Sequence, residues 1–495
     1  MRNLFIKKSI LHIQEDAESC TLHRSLSVFN LISLGIGCII GAGIFSLTGE
    51  QTAVYAGPAI MISFVLAAVA CAFAALCYAE LASTLPVSGS AYTYAYATLG
   101  ELAAWIMGWL LILEYGVAAA TVAVSWAGYF VSLMKDFGVV IPEIFMTPTI
   151  LYDPNIGGWH AVGFHGAFNL PAAASVAVLT VLLVIGIKES ATVNNIVVML
   201  KITVLVLLVV VGLPHINTAL WHPFIPPAMV IHDPQTGSSV THYGWPGILH
   251  AAAVISFAFV GFEAVSTAAQ EAKNPQRDMP IGILASLAIC TVLYILVGAV
   301  LTGLVHYSDL NVPDPLALAV DTLGVGWLKW VVKVGAVIGM FSVTLVLLYG
   351  QTRIFFSMGR DRLLPAFFST THPRFKTPHW NTIIVGTVTA LIAGLTPIDI
   401  LGDLVSLGTL LAFAIVCFSV IYLRYKRPDM KRVFSVPFFP YTPIIGIGTC
   451  IWLMAGIINM MILLFIFYIP IGLLIYFLYS RHRSVVRIMA RDAAA

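Results

Sequence analysis

Long apolar runs separated by short polar stretches fill the chain from residue 28 onward. A helix that crosses the hydrocarbon of a bilayer needs about 20 predominantly apolar residues. Such runs fall near 28–54, 59–83, 102–132, 171–187, 191–213, 247–271, 281–304, 327–357, 381–396, 400–422, 440–462 and 464–480. The pattern predicts an all-α integral membrane protein with about twelve transmembrane helices. Residues 1–27 are polar and mixed in charge, with Lys7, Lys8, Glu15, Asp16, Glu18 and Arg24. A signal peptide has a short apolar stretch after a basic start. The first run here is too long for that, so 1–27 reads as an uncleaved tail.

Composition agrees. The chain is 59% hydrophobic and only 10% charged, against about 25% charged in soluble domains. No core is large enough to absorb that difference, so lipid is the solvent along most of the length. A net charge of +2 says little about partners. The absence of a basic block or an aromatic RNA motif argues against nucleic acid. Cys38, Cys71, Cys77, Cys290, Cys417 and Cys450 lie in apolar runs without CxxC spacing and read as small hydrophobes. No Walker motif is present, which argues against ATP-driven transport. No HExxH or paired Asp is present either, which argues against an enzyme, and no cofactor or metal is implied.

Orientation follows from the basic residues, because cytoplasmic loops retain Lys and Arg. With the N-terminus inside, twenty-one of the twenty-five fall on the cytoplasmic side: Arg2, Lys7, Lys8, Arg24, Lys188, Lys273, Arg277, the groups at 353–376 and 424–432, and four in the C-terminal tail. Lys135 lies in an outer loop, and Lys329 and Lys333 sit where they can snorkel to the outer interface. Lys201 is alone in mid-membrane. Both termini are thus expected in the cytoplasm, and the protein in the inner (plasma) membrane. The outer segments 134–170 and 214–246 are poor in Lys and Arg but hold His160, His165, His215, His222, His232 and His242, with His250 just beyond. A metal or pH-sensing patch is one reading. The other is that neutral histidine is tolerated where Lys and Arg are not.

Two runs are interrupted by small residues. The first reads Gly35-Ile36-Gly37-Cys38-Ile39-Ile40-Gly41-Ala42-Gly43-Ile44-Phe45, and the sixth Ser256-Phe257-Ala258-Phe259-Val260-Gly261-Phe262-Glu263. Gly37 to Gly41 is a GxxxG, so close helix packing is one explanation. Unwinding is the other. The interrupted runs correspond if the first ten helices form two inverted five-helix repeats, and paired interruptions mark transporter binding sites. A broken helix frees amide donors and carbonyl acceptors that lipid cannot satisfy. A zwitterionic amino acid satisfies both kinds. Its carboxylate suits a helix start near Ala42–Ile44. Its ammonium suits carbonyls near Ile39–Ile40 and Phe257–Val260. Ile39, Ile40, Gly41, Ala42, Gly43, Ile44, Phe257, Ala258 and Val260 are therefore the expected substrate-binding residues.

These stretches carry a resemblance. GIGCIIGAGIF (35–45), PVSGSAYTYAYATLGE (86–101), WLLILEYGV (109–117), FAFVGFEAVSTAAQEAKNPQRDMPIGI (257–283) and YGQTRIFFSMGRDRLLP (349–365) resemble the amino acid–polyamine–organocation superfamily, and within it bacterial members of the cationic amino acid transporter family. The resemblance covers nearly the whole chain. It implies a leucine-transporter-type fold: a tail (1–27), a first five-helix repeat (28–213), an extracytoplasmic loop (214–246), a second inverted repeat (247–423), two additional helices (424–480) and a cytoplasmic tail (481–495). It implies alternating access and proton coupling. One departure is Ala42, where the family often has a hydroxyl residue; backbone amides must then hold the carboxylate alone.

The resemblance places Lys201 in the fifth helix facing the first, where sodium-coupled relatives of the fold hold an ion. Donating to carbonyls near the break, Lys201 is either the carrier of the coupled proton or a permanently charged pin. Glu114 and Glu263 are the other deep charges and candidate proton relays. Glu80 and Glu101 lie nearer the cytoplasmic interface and read as gate or structural residues. Tyr92, Tyr94 and Tyr96 read as an inner gate or as an interfacial belt. Phe257 and Phe259 are expected to flank the substrate side chain, with Phe259 and Leu347 lining its pocket. The eighth run offers no acid over 340–348, which favours small neutral or apolar L-amino acids by proton symport. An amino acid or polyamine exchanger, or a carrier of cationic amino acids, stays open, and the sequence leaves the oligomeric state undetermined.

Overall fold

The computed structural model describes residues 6–8, 26–85, 90–153, 162–164, 166–186, 191–232, 239–458, 462 and 464–492. Arg2, Glu15, Asp16, Glu18, Arg24, residues 86–89, His160, His165 and Lys188 lie outside them.

The chain is a helical bundle. Ser27 opens α1 (Val28–Ile39) by accepting from the Asn30 amide. A break follows, then a helical run at 43–56 (α2) with π-type turns at Gly43–Leu47 and Thr52–Ala56. Next come α3 (Ile60–Thr84), α4 (Ser90–Thr98), α5 (Glu101–Asp136), α6 (Leu170–Ile185) and α7 (Ala191–Gly212). The second half runs through α8 (Gly244–Ile255), a break, α9 (Pro275–Leu304), α10 (Pro315–Thr322), α11 (Gly326–Arg360), α12 (His379–Leu395) and α13 (Ile398–Lys426). It closes with α14 (Tyr441–Met454), α15 (Leu464–Arg483) and α16 (Val485–Asp492). Among the described residues eight helical stretches are long and apolar enough to cross a membrane, and four shorter apolar helices accompany them. The stretch around the second break is 89% buried in protein and α15 only 22%, so the broken helix is central and α15 faces lipid.

Helix pairing sets the architecture. α5 packs along α11, α3 along α9 and α6 along α12. α13 packs on α5, and α7 on α11. α9 packs on α1, and α3 on α8. α1 lies against α7, and α8 against α13.

Several expectations change here. α8 begins at Gly244, ahead of the apolar run expected from 247, and α13 continues to Lys426, beyond the run expected to end at 422. The described parts of the two long connections form antiparallel hairpins, β1 (Ile150–Tyr152) with β2 (Val162–Phe164) and β3 (Met229–His232) with β4 (Ser239–His242). His242 and His250 turn inward: their rings stack on Tyr55, and each Nδ1 lies 2.9 Å from a backbone carbonyl, of Val54 and Gly456. Lys333 does not snorkel. It is buried, with Nζ 2.5 Å from Asp136 Oδ2, because α11 and α5 run side by side and Asp136 ends α5. Lys329 pairs with Asp321 at 2.9 Å. Tyr92, Tyr94 and Tyr96 lie on helix α4 and are buried, so they form no interfacial belt.

Glu80 fastens α3 to α13. Its carboxylate accepts from Arg424 Nε (2.9 Å), Arg424 Nη2 (2.5 Å) and the Val436 amide (2.7 Å). Removing one partner of a buried ion pair strands the other. Glu80→Ala is expected to lower stability by about 3 kcal/mol, read as earlier heat aggregation of detergent-purified protein.

Candidate functional site

The two breaks meet at the centre of the bundle. α1 ends at Ile39, and Ile40 is extended (φ −73°, ψ 94°). The chain re-enters helix at Ala42 (φ −54°, ψ −31°), where no side chain caps the new start. The amides of Gly41, Ala42, Gly43 and Ile44 are thus the leading donors of a helix, at its positive end. In the second break, 3-10 turns at Ser256–Phe259 end in an extended Val260 (φ −56°, ψ 130°). Gly261 then takes φ +125°, a conformation open to glycine and strained for other residues. A second 3-10 segment, Glu263–Ala268, follows.

Glycine lets the breaks touch. A Cβ on Gly43 would sit 2.4 Å from the Ala258 Cα, and one on Gly261 would sit 2.7 Å from the Cys38 carbonyl carbon. Gly37 serves packing, since its Cβ would meet Val198 of α7 at 2.8 Å. Packing and unwinding therefore coexist in one run.

The carbonyls freed at the breaks are met by side chains. Lys201 Nζ, fully buried on α7, donates to the Gly37 carbonyl at 2.8 Å. The Tyr294 hydroxyl of α9 donates to the Ile39 carbonyl at 2.8 Å. In the other half the Ser406 hydroxyl of α13 donates to the Val254 carbonyl at 2.8 Å. Lys201 and Ser406 thus each donate to a carbonyl in the last turn of a helix that leads into a break. Ile39 is not wholly free for a substrate ammonium, since one lone pair is taken and one remains.

The amide end of the second break is occupied by the protein itself: Glu263 accepts from the Gly261 amide at 2.8 Å. The helix start at the first break, by contrast, has no side-chain cap. Glu114 and Glu263 are buried neighbours. Neither carboxylate oxygen of Glu114 makes a well-formed hydrogen bond among the described residues, although the Thr409 hydroxyl is adjacent.

For the side-chain pocket, Phe259 lies against Tyr294 with ring centroids 5.4 Å apart, and Phe257 is buried nearby in the same turn. On α11 the side chain facing the first break is Val343: a Cβ on Gly41 would reach it at 3.4 Å. Gly339 of the same stripe lies against Lys201. Leu347 is buried one turn beyond Val343 on that face. Sequence reading missed Tyr294, Val343 and Ser406. Tyr294 carries a hydroxyl in the middle of its run, as Thr291 and Ser286 do, and that was the available signal. Val343 gave none, because an apolar residue in an apolar helix reveals no facing. It also missed a buried acidic group: Glu50 in the middle of α2 faces Asp399 and Asp403 of α13.

Tyr294→Phe removes one hydroxyl and leaves the ring. A single hydrogen bond is worth about 0.5–1.5 kcal/mol. The expected result is a KM for amino acid uptake raised about 2- to 10-fold with unchanged expression.

Comparison with known proteins bears on the whole chain. The amino acid permease family matches residues 26–477. A branched-chain amino acid permease of Bacillus subtilis is 45% identical, covering 97% of this chain and 98% of the relative. A methylthioribose transporter of the same organism is 44% identical over 98% of this chain and all of the relative. A vacuolar cationic amino acid transporter of Arabidopsis thaliana is 38% identical over 87% and 68%. These relatives are named as transporters and permeases, not enzymes. With a central pair of broken helices and a family match over nearly its full length, the chain belongs to the amino acid permease family of the amino acid–polyamine–organocation superfamily.

Proposed function

We propose that the protein is a proton-coupled symporter of small neutral or apolar L-amino acids that works by alternating access in the plasma membrane, with both termini cytoplasmic. The observation that carries this reading is the uncapped helix start at Ala42–Ile44 beside carbonyls held by Lys201 and Tyr294. It offers donors to a carboxylate and one open lone pair to an ammonium within a few residues. The apolar wall of Val343, Leu347 and Phe259 suits an apolar side chain. The branched-chain permease relative points the same way.

The helix count is read as twelve, in two inverted five-helix repeats plus two. The pairings support it, because exchanging α1 with α8, α3 with α9, α5 with α11, α6 with α12 and α7 with α13 reproduces each contact named above. Lys201 is assigned as the proton carrier, with Glu114 and Glu263 as relays. A second reading, transport of cationic amino acids, draws on the buried carboxylates Glu114 and Glu263 and on the cationic transporter relatives.

Liposomes holding purified protein test both. Labelled alanine is expected to accumulate only with an inward proton gradient and to be displaced by unlabelled neutral amino acids. Displacement by arginine instead supports the cationic reading. Uptake that ignores the gradient but follows internal amino acid shows an exchanger.

A further inference from the structure

Residues 6–8 and the C-terminal helix α16 lie at one end of the bundle, joined to it by a set of polar contacts. Glu101, the first residue of α5, is completely buried. Its Oε1 accepts from Arg487 Nε at 2.6 Å and from the Tyr476 hydroxyl at 2.8 Å, and its Oε2 accepts from Ser484. Arg487 Nη2 also donates to Tyr476 at 3.0 Å. The Glu101 amide donates to the Ile6 carbonyl at 2.9 Å. Beside this lies Asp361, just past α11. It accepts from Tyr92 at 2.8 Å and from Lys8 at 3.3 Å, and its carbonyl accepts from the Val485 amide at 3.2 Å.

Tyr92 belongs to α4, and α4 rests on the Glu263–Ala268 segment that leaves the second break. Tyr94 of the same helix lies against Ser266. So α4 sits between the binding region and this end of the molecule, and α16 braces α4 from behind through Asp361 and Glu101.

We propose that the C-terminal helix is an autoinhibitory brace: the Arg487–Glu101 pair and the Val485–Asp361 contact hold α4 over the exit from the breaks, and substrate passes at this end only when α16 lets go. Glu101 is wholly buried and met by Arg487 Nε, a phenol and a serine, while Arg487 Nη2 holds the same phenol, so release of α16 strands a buried carboxylate and is opposed by that cost. The brace rests on the alternating-access reading above.

The test uses a cysteine reporter, Ala268→Cys, on full-length protein in detergent, labelled with a water-soluble maleimide. The comparison set is the chain ending at Arg483, Arg487→Ala, and Arg487→Lys, which keeps charge but loses the planar guanidinium that reaches Glu101 and Tyr476 together. An open state normally held to a few per cent is expected to rise roughly tenfold when its restraint is removed. Labelling should therefore rise about that much in the shortened chain and in Arg487→Ala, with Arg487→Lys between. Counterflow should quicken in the same order. The shortened chain leaves every apolar helix intact, so it guards against a folding defect in the point variants. Unchanged or slower labelling in a monodisperse shortened chain overturns the brace. Saturating amino acid separates the two ideas: if it alters labelling in the full-length reporter while shortening does not, alternating access stands and the brace falls. If it alters labelling in none of them, the access reading itself fails.

Discussion

Lys201→Ala is expected to abolish concentrative uptake while leaving amino acid exchange running. Lys201 is buried in α7 with Nζ on the Gly37 carbonyl, two residues before α1 ends. Cutting it back removes a group that can take and give a proton. It also leaves one carbonyl short of a donor, at a cost of about 1–3 kcal/mol. The helix still ends at Ile39, and the amides at 41–44 still face a carboxylate, so binding persists. One pH unit is worth about 1.4 kcal/mol, hence about tenfold accumulation at one proton per substrate. Wild type in liposomes should approach that ratio, whereas the variant should stop at equilibrium and keep counterflow. A variant that loses counterflow as well makes Lys201 a pin that sets the α1–α7 geometry. A variant that still accumulates moves the proton site elsewhere, with Glu114 and Glu263 next in line.

Elements that depend on one-dimensional pattern were open to sequence reading. Lipid imposes long apolar runs, and the glycine cluster at 35–43 together with Gly261 in the sixth run showed where helices stop. Lys201 stood out because a lone cation in an apolar run has few reasons to be there. What the sequence withheld depends on rotation about a helix axis and on who lies across. Val343 and Leu347 share a stripe, but apolarity on every side of α11 hides which residue meets the first break. Tyr294 caps Ile39 from a helix 255 positions away in sequence. Lys333 looked like an interfacial lysine because Asp136 is distant in the chain and adjacent in space. The tyrosines of α4 alternate in sequence as a strand would, yet they lie on a helix covered on both sides: Tyr92 and Tyr96 share one face, and Tyr94 on the other lies against Ser266. Tertiary pairing overrides local pattern at each of these.

Gly43→Ala is expected to eliminate transport, and Gly41→Ala to spare it. The two glycines are two residues apart in one break and differ in what lies beyond them. A methyl at 43 would overlap Ala258, with its Cβ 2.3 Å and its Cα 2.4 Å away. Neither atom belongs to a flexible side chain, so the two broken helices would have to separate. Overpacking a rigid contact costs about 1–3 kcal/mol. Separating the breaks also pulls the amides at 42–44 away from the carbonyls they work with, and a misplacement of about 1 Å can cost about 100-fold in rate. A methyl at 41 meets only Val343, at 3.4 Å, which is ordinary contact. Gly41→Ala should keep alanine uptake near wild type while excluding larger apolar amino acids, because the added carbon narrows the wall that Val343 forms. Uptake of labelled alanine, with valine and leucine as competitors, reads both variants at once. Equal loss in both would mean that position 41 also needs glycine for the break itself. Normal valine and leucine competition in Gly41→Ala would place the side-chain pocket away from Val343.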